Sequence, residues 1–307
     1  MRVHVCIAHY TEERTQPEDN PIGNGSLEPG SRFHRTLALS RCLHGLLGTQ
    51  RHPEMVLLDI HQRRFDHFPA GHTPLEVSIS IGTDGVHRLD DVLQHFGSQV
   101  DVLTLKTTDP RNLGLACRDH LIANRAGADL LMYLEDDLVI HDPAFFDKQH
   151  WFLEKTGHHY CLMPHRYEVV HAAGMHQVLV DGPLDPDFLN PFQTPQRHTA
   201  KGLYQGRQQV CFDLADNPHS GCFVISARQA DALSRQELPT DGFVGSLETA
   251  ATYTVLQHYP VMKPSLENWQ FLQIEHAHHS FSGYLNTFPH QVLSIPDGPS
   301  TAEQGAP

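Results

Sequence analysis

The chain has 307 residues, with 36 acidic against 22 basic side chains and a formal charge of −14. That balance argues against a nucleic-acid partner, which would call for a basic face, while 39% hydrophobic content over this length supports one large core or two modest ones. No apolar stretch reaches the ~20 residues needed to span a bilayer, the first ten residues alternate like a strand rather than a signal peptide, and six cysteines without a CxxC spacing read as reduced core residues of a cytoplasmic protein.

In chain order, residues 3–9 alternate as a strand, and residues 11–30, rich in Pro, Gly and Glu, form a loop. Ser31 is placed to cap a helix running to Gly48, with Phe33, Leu37, Leu43 and Leu47 among its apolar positions. Strands are expected at 55–60 and 77–81, the second ending in Gly82-Thr83-Asp84-Gly85, then a helix at 89–96 and a strand at 100–105. Residues 112–126 form a helix with Leu113, Cys117 and Leu121 in line and Gly127 as its stop.

Residues 130–140, LLMYLEDDLVI, are an apolar run that meets three consecutive carboxylates. Its length suits a strand covered on both faces. Alternation along a strand puts Glu135 and Asp137 on one side and Asp136 on the other. Two carboxylates on one face repel unless a cation or donors sit between them, and a hard divalent ion would resolve the conflict. The alternative is the solvated mouth of a strand.

The second half is less regular. Residues 164–211 read as loops and a hairpin, 217–226 as a turn into a strand, and 228–234 as a short helix. Residues 247–258 form a further helix capped by Ser246, and 271–280, FLQIEHAHHS, an apolar strand ending in histidines. Strands alternating with helices imply an α/β fold with a mostly parallel sheet and helices on both faces. Ligands gather at the carboxyl ends of such strands, where Asp84, Glu135, Asp136 and Asp137 all fall. The 25 histidines are scattered, so composition singles out none of them.

The order of these pieces resembles the GT-A-type nucleotide-sugar glycosyltransferases, particularly the layout of family 2. The likeness spans most of residues 1–280 in layout and only short motifs in detail. It implies a Rossmann-like GT-A sheet in a single catalytic domain over 1–290. Within it, residues 1–140 would be a nucleotide-binding half and 141–290 a loop-rich acceptor half, with a flexible tail at 291–307. Glu135-Asp136-Asp137 is similar to the DxD-type motif, with glutamate at its first position. By that resemblance Asp137 ligates Mn²⁺ or Mg²⁺, Glu135 meets the ribose, the sugar or a metal-bound water, and Asp136 belongs to the nucleotide site.

The same resemblance assigns Ala8, His9 and Tyr10 to the nucleotide base, and Asp84 to the base or ribose. Relatives often carry two adjacent acids at the latter position, where this chain reads GTDG and an Asp-Gly turn is the alternative. Arg118, in RNLGLACRDHLIANRAGADLL, would touch the nucleotide or its phosphates, or else pair with a neighbouring acid on a helix surface. Ser220 and Gly221, in NPHSGCFVIS, would line the sugar pocket, a tight turn being the alternative. Glu248, in GFVGSLETAATYTV, would be the base of an inverting transfer with Asp241 in reserve, though a glutamate in a first helical turn is also favoured by the helix dipole alone. His276 and His278 would share a face, with His279 opposite, and offer a further metal ligand. Imidazole with carboxylate suits Mn²⁺ better than Mg²⁺.

The implied activity is metal-dependent transfer of a sugar from a nucleoside-diphosphate donor, a UDP-sugar foremost, to a hydroxyl of a glycan or other acceptor. Two alternatives stand beside it. A sugar-phosphate nucleotidyltransferase would need a Gly-rich loop after the first strand, where this chain reads AHYTEERT. A metal- or glycan-binding protein could keep the fold without turnover.

Overall fold

The computed structural model describes residues 1–12, 30–170, 177–278 and 280–294. Most of the loop expected at 11–30, most of the tail and His279 lie outside the described residues. The first half contains β1 (Arg2–Ala8), α1 (Arg32–Gly48), β2 (Glu54–Asp59), β3 (Arg64–Pro69), β4 (Glu76–Thr83), α2 (Asp90–Phe96), β5 (Asp101–Thr104), α3 (Leu113–Ala123) and β6 (Leu130–Glu135). Next come β7 (Leu138–Val139), α4 (Phe145–Lys155), β8 (Cys161–Leu162), β9 (His165–Val169), β10 (Gln177–Leu179), α5 (Pro186–Leu189), β11 (Gln196–Tyr204) and β12 (Gln208–Leu214). The chain then forms β13 (Cys222–Ser226), α6 (Ala227–Leu233), α7 (Ser246–Glu248), α8 (Thr254–Leu256), β14 (Val261–Pro264) and β15 (Gln273–His276).

Five strands in the order β13-β6-β1-β4-β5 make the central sheet. β1 runs parallel to β4 and β6, β4 runs parallel to β5, and only β13 is antiparallel. Alternation along β1 sends Val3, Val5 and Ile7 into a core with Leu39, Leu43 and Leu46 of α1 and Val92 of α2. Cys6 faces the other way, toward Leu113, Cys117 and Leu121 of α3 and Ala250. Apolar cores therefore cover both faces of the sheet, and β6 is buried along Leu130–Leu134 because it has no solvent side. Two four-stranded sheets, β10-β9-β15-β7 and β11-β12-β14-β8, build the second half. All six cysteines are free, and Cys211 alone is more than marginally exposed.

Several sequence expectations are corrected. The run at 130–140 is not one strand: β6 stops at Glu135, Asp136 and Asp137 form a turn, and β7 joins a different sheet. The turn lets both aspartates meet a single arginine fork, which successive side chains of an extended strand, pointing to opposite faces, could not do. In α1 the buried stripe is Arg35, Ala38, Leu39, Cys42, Leu43 and Leu46. Phe33 and Leu37, expected inside, are 66% and 45% exposed, because the helix is rotated to bury Arg35. The strand expected at 55–60 pairs only with β3, in an exposed hairpin outside the central sheet. Ser246 lies in the first turn of its helix and Gly245 is the cap, and the helix is interrupted by a π turn at Thr249–Tyr253. The region expected as loops with a hairpin contains the β11–β12 hairpin and also β9 and β10.

Candidate functional site

The parallel register sets Ala8 beside both Gly82 and Glu135, so the residues following β1, β4 and β6 emerge along one edge. His9, directly after β1, is fully buried. Its Nε2 accepts the Leu89 N–H at 3.1 Å, so the ring proton sits on Nδ1, which donates to Asp136 Oδ2 at 2.5 Å. From the buried stripe of α1, Arg35 donates through Nη2 to Asp136 Oδ1 and through Nη1 to Asp137 Oδ2 at 3.0 Å. Burial would push the Asp136 carboxyl up, but the Arg35 charge and the His9 hydrogen bond outweigh it and hold it at about 2.

Glu135 has the opposite electrostatics. Burial first, and the Asp137 charge next, push it up to about 7 against the pull of Arg166 and His276. Its carboxylate lies over Gly221, whose φ is +63°, and a Cβ there would come within 2.6 Å of Glu135 Oε2. A glycine is required at this position by both its backbone and its neighbour. The Gly221 carbonyl also accepts the Glu135 N–H at 3.0 Å.

His276 ends β15. Its Nδ1 donates to Glu168 Oε1 at 2.9 Å and its Nε2 faces Asp137 Oδ2 at 3.7 Å. Burial pulls the imidazole down, but Asp137 and Glu168 together raise it above its ordinary value. Glu168 also accepts the backbone N–H groups of Ser280 and Phe281 at 3.0 Å and of Ser282 at 2.7 Å, anchoring the segment after β15. Burial would raise this carboxyl, yet the His276 hydrogen bond first, and those from Phe281 and Ser282 after it, hold it at about 2.

A second buried ion group lies beside the first. Arg166 donates to Asp181 Oδ1 from Nε at 3.0 Å and from Nη2 at 2.7 Å, and Lys263 Nζ reaches Asp181 Oδ2 at 3.2 Å. Lys263 also donates to the His219 carbonyl at 2.7 Å. His219 Nδ1 meets Thr252 Oγ1 of the π turn at 2.8 Å, and Ser220 Oγ donates to the Pro164 carbonyl at 2.6 Å. Ser220 is thus spent on holding the turn that presents Gly221. Glu248 stands just before the π turn, and its charge contributes to the rise of Glu135, so the two carboxylates share one electrostatic field. π turns within helices occur frequently at functional sites.

Other sequence candidates lie elsewhere or are differently employed. Asp84 Oδ1 accepts the N–H groups of Val86 and His87 at 2.8 Å each, and Oδ2 meets His87 Nδ1 at 2.6 Å, forming the turn after β4. Tyr10 lies beside that turn, its ring 5.0 Å from His87 and its hydroxyl donating to Glu12 at 2.9 Å. Arg118 is not brought to the carboxylate cluster. Its fork is taken by Asp119, the Pro239 carbonyl and Thr254, tying α3 to the interrupted helix. Asp241 is exposed in the turn before Gly245. His278 follows β15 rather than extending it, its ring 6.4 Å from that of His276.

Sequence reasoning missed Arg35, Arg166, Glu168, Asp181 and Lys263. For Arg35 a signal existed: positions 35, 38, 39, 42 and 46 form one helical stripe, and extending the apolar face back one turn reaches it. For the others no local pattern distinguishes them from surface charges.

The donor set bears on whether a divalent cation fits. Asp137 Oδ1 is buried and has no hydrogen-bond partner among the described residues, an uncompensated acceptor that normally demands one. Its other oxygen accepts from Arg35 Nη1 at 3.0 Å and faces an imidazole nitrogen at 3.7 Å, and burial together with the Asp137 charge drives Glu135 toward its neutral form. Carboxylate oxygen with imidazole nitrogen is a Mn²⁺-compatible donor pair. Asp137 and His276 offer such a pair.

The fold and site define an α/β protein whose mostly parallel sheet presents a buried, charge-dense cluster at its carboxyl edge. No family model and no curated protein matches the chain. Among solved structures, it is similar to residues 1–349 of S. aureus TarS, at TM-score 0.40 and 11% identity over 86% of this chain and 58% of that one. It is also similar to a longer S. aureus TarS structure, at TM-score 0.39 and 10% identity over 86% of this chain and 35% of that one. The chain therefore spans little more than half of one of these structures and about a third of the other. Likeness at this level assigns no family. Among the described residues no helix is long and apolar enough to cross a membrane.

Proposed function

We propose that the chain is a GT-A-type glycosyltransferase that moves a sugar from a nucleoside-diphosphate donor, a UDP-sugar foremost, to a hydroxyl acceptor. The observation that carries this reading is Asp137, a carboxylate at the carboxyl edge of parallel strands, with one buried oxygen unpartnered among the described residues and the other shared between Arg35 and His276. Asp137 and His276 would hold Mn²⁺ or Mg²⁺. When bound, the ion supplies positive charge opposite the diphosphate leaving group.

The remaining steps belong to the protein's own residues. Arg35 and His9 keep Asp136 ionised and fix the Asp136-Asp137 turn, so that Asp137 is preorganised rather than mobile. Glu135, over Gly221, accepts a hydroxyl of the sugar or ribose. Glu248 removes the proton of the acceptor hydroxyl as it attacks the anomeric carbon, giving inversion. Six free cysteines fit a cytoplasmic setting.

The test is a thermal-shift screen of UDP-, GDP-, CMP- and TDP-sugars, each with Mn²⁺, Mg²⁺ or EDTA, because ligands that bind the native state raise its melting temperature. A metal-dependent rise with one nucleotide class, lost in Asp137→Ala, is expected. No rise with any donor would overturn the assignment.

A further inference from the structure

Away from the carboxylate cluster, the β11–β12 hairpin and the turn Leu266–Phe271 bring a histidine, a cysteine and a glutamate together. One ligand atom from each of His198, Cys211 and Glu267 lies within 4.8 Å of the other two. These residues share no member with the site around Asp137. We propose that His198, Cys211 and Glu267 form a separate site for a zinc-class divalent cation that staples the hairpin to the following turn.

The backbone around the three residues is built to aim them. β11 changes register against β12 between Gln196 and Ala200, and His198 within this bulge has a φ of 50°. Bulges re-aim side chains, and a non-glycine residue in the left-handed region persists only where its surroundings impose it. Here Asp213 Oδ1 accepts the His198 N–H at 2.7 Å and also the Ser265 hydroxyl. Asn268 Oδ1 accepts the Cys211 N–H at 2.8 Å, and the Cys211 carbonyl accepts the Ser265 N–H at 2.9 Å. These contacts fix the backbone from which the His198 and Cys211 side chains project.

The donors themselves converge. His198 Nε2 is in direct contact with Glu267 Oε1, and Arg197 Nη2 holds the other carboxylate oxygen at 3.3 Å. One imidazole nitrogen, one sulfur and one carboxylate oxygen form a borderline-soft set that suits Zn²⁺ over Mg²⁺ or Ca²⁺. Three protein ligands leave a fourth position for water, and Glu267, which is partly exposed, gives the ion a way in. On binding, the Cys211 thiol releases its proton to solvent and coordinates as the thiolate.

The experiment is a Co²⁺ titration of the full chain after EDTA treatment, followed by absorption, with Zn²⁺ as competitor. One equivalent should bind with a thiolate-to-cobalt charge-transfer band that Zn²⁺ abolishes, and any cobalt held by Asp137 and His276, which offer no sulfur, adds nothing to that band. Cys211→Ser should lose the band. His198→Asn, which tolerates the left-handed backbone, should weaken the cobalt affinity read from the band at least tenfold while keeping wild-type far-ultraviolet circular dichroism. Asp137→Ala should retain the band, separating this site from the one proposed above. A folded wild-type chain that gives no band, or a band that survives Cys211→Ser, overturns the site. Should a variant fail to fold, the wild-type titration decides by itself, together with a Zn²⁺-dependent rise in melting temperature.

Discussion

His9 and Asp136 are 127 residues apart in sequence and 2.5 Å apart in the fold. The imidazole uses both nitrogens, one donating to the carboxylate and the other accepting the Leu89 N–H. His9 thereby joins the end of β1 to the turn after β6 and to the start of α2. Replacing it with phenylalanine preserves an aromatic ring but strands a buried carboxylate oxygen and a buried N–H. The expected loss is about 3 kcal/mol, since orphaned buried groups retain their full desolvation cost. Urea unfolding of His9→Phe measures it, and a loss within ordinary surface-substitution noise would show that the pair contributes little.

Arg35 spans both aspartates of the turn. Arg35→Met keeps the bulk of the side chain and removes the charge, leaving two buried carboxylates uncompensated at a cost of about 3–5 kcal/mol near neutral pH. Asp136 is held at about 2, below its ordinary 3.8. Its contribution is therefore complete above 3.8 and disappears as pH falls through about 2. Wild type loses that contribution in acid, whereas Arg35→Met keeps only the His9 hydrogen bond and has less to lose, so the stability gap between them should narrow as pH falls from 3.8 toward 2. A gap independent of pH would count against the ion pair.

Two buried groups should tilt the pH profile in opposite directions. Glu135 is pushed up to about 7 from 4.5, so the native state binds its proton more tightly and stability falls as pH rises from 4.5 to 7. His165, whose Nε2 donates to the Pro264 carbonyl at 2.7 Å, is pulled down to about 4 from 6.5, chiefly by burial. Its contribution is complete above 6.5 and is lost as pH falls through about 4. Each shift corresponds to about 3 kcal/mol at most, and in wild type the two partly cancel. Glu135→Gln should remove the first slope and expose the second, making the variant the more acid-sensitive protein. Melting temperatures of both proteins across this range decide the matter, and parallel profiles would refute the Glu135 shift.

Glu248→Gln separates binding from proton removal. If the carboxylate is the base, donor binding stays at the wild-type level while turnover falls by about 10²–10⁴. Calorimetry with the donor identified by the thermal-shift screen reads the first quantity, and a coupled assay for nucleoside diphosphate release reads the second. Equal losses in both would make Glu248 a structural support rather than the base.

Local sequence determined the alternation of strands and helices, the two-sided burial of β6 and the arrival of three acids at its carboxyl end. Apolar periodicity and chain order report these directly, because each depends on neighbours a few residues away. The interruption of the acidic run at Glu135 and the division of its neighbours between two sheets go with a long-range partner, Arg35 of α1, which meets both aspartates of the turn. The contrast between two helix arginines shows the limit. Arg118 and Arg35 look alike in sequence, but the seating of α3 aims one at Thr254 and the rotation of α1 aims the other at Asp136 and Asp137. Only tertiary packing decided that, because a helix presents its charged groups to whatever its buried face requires, and the choice of face is settled by contacts a hundred residues away.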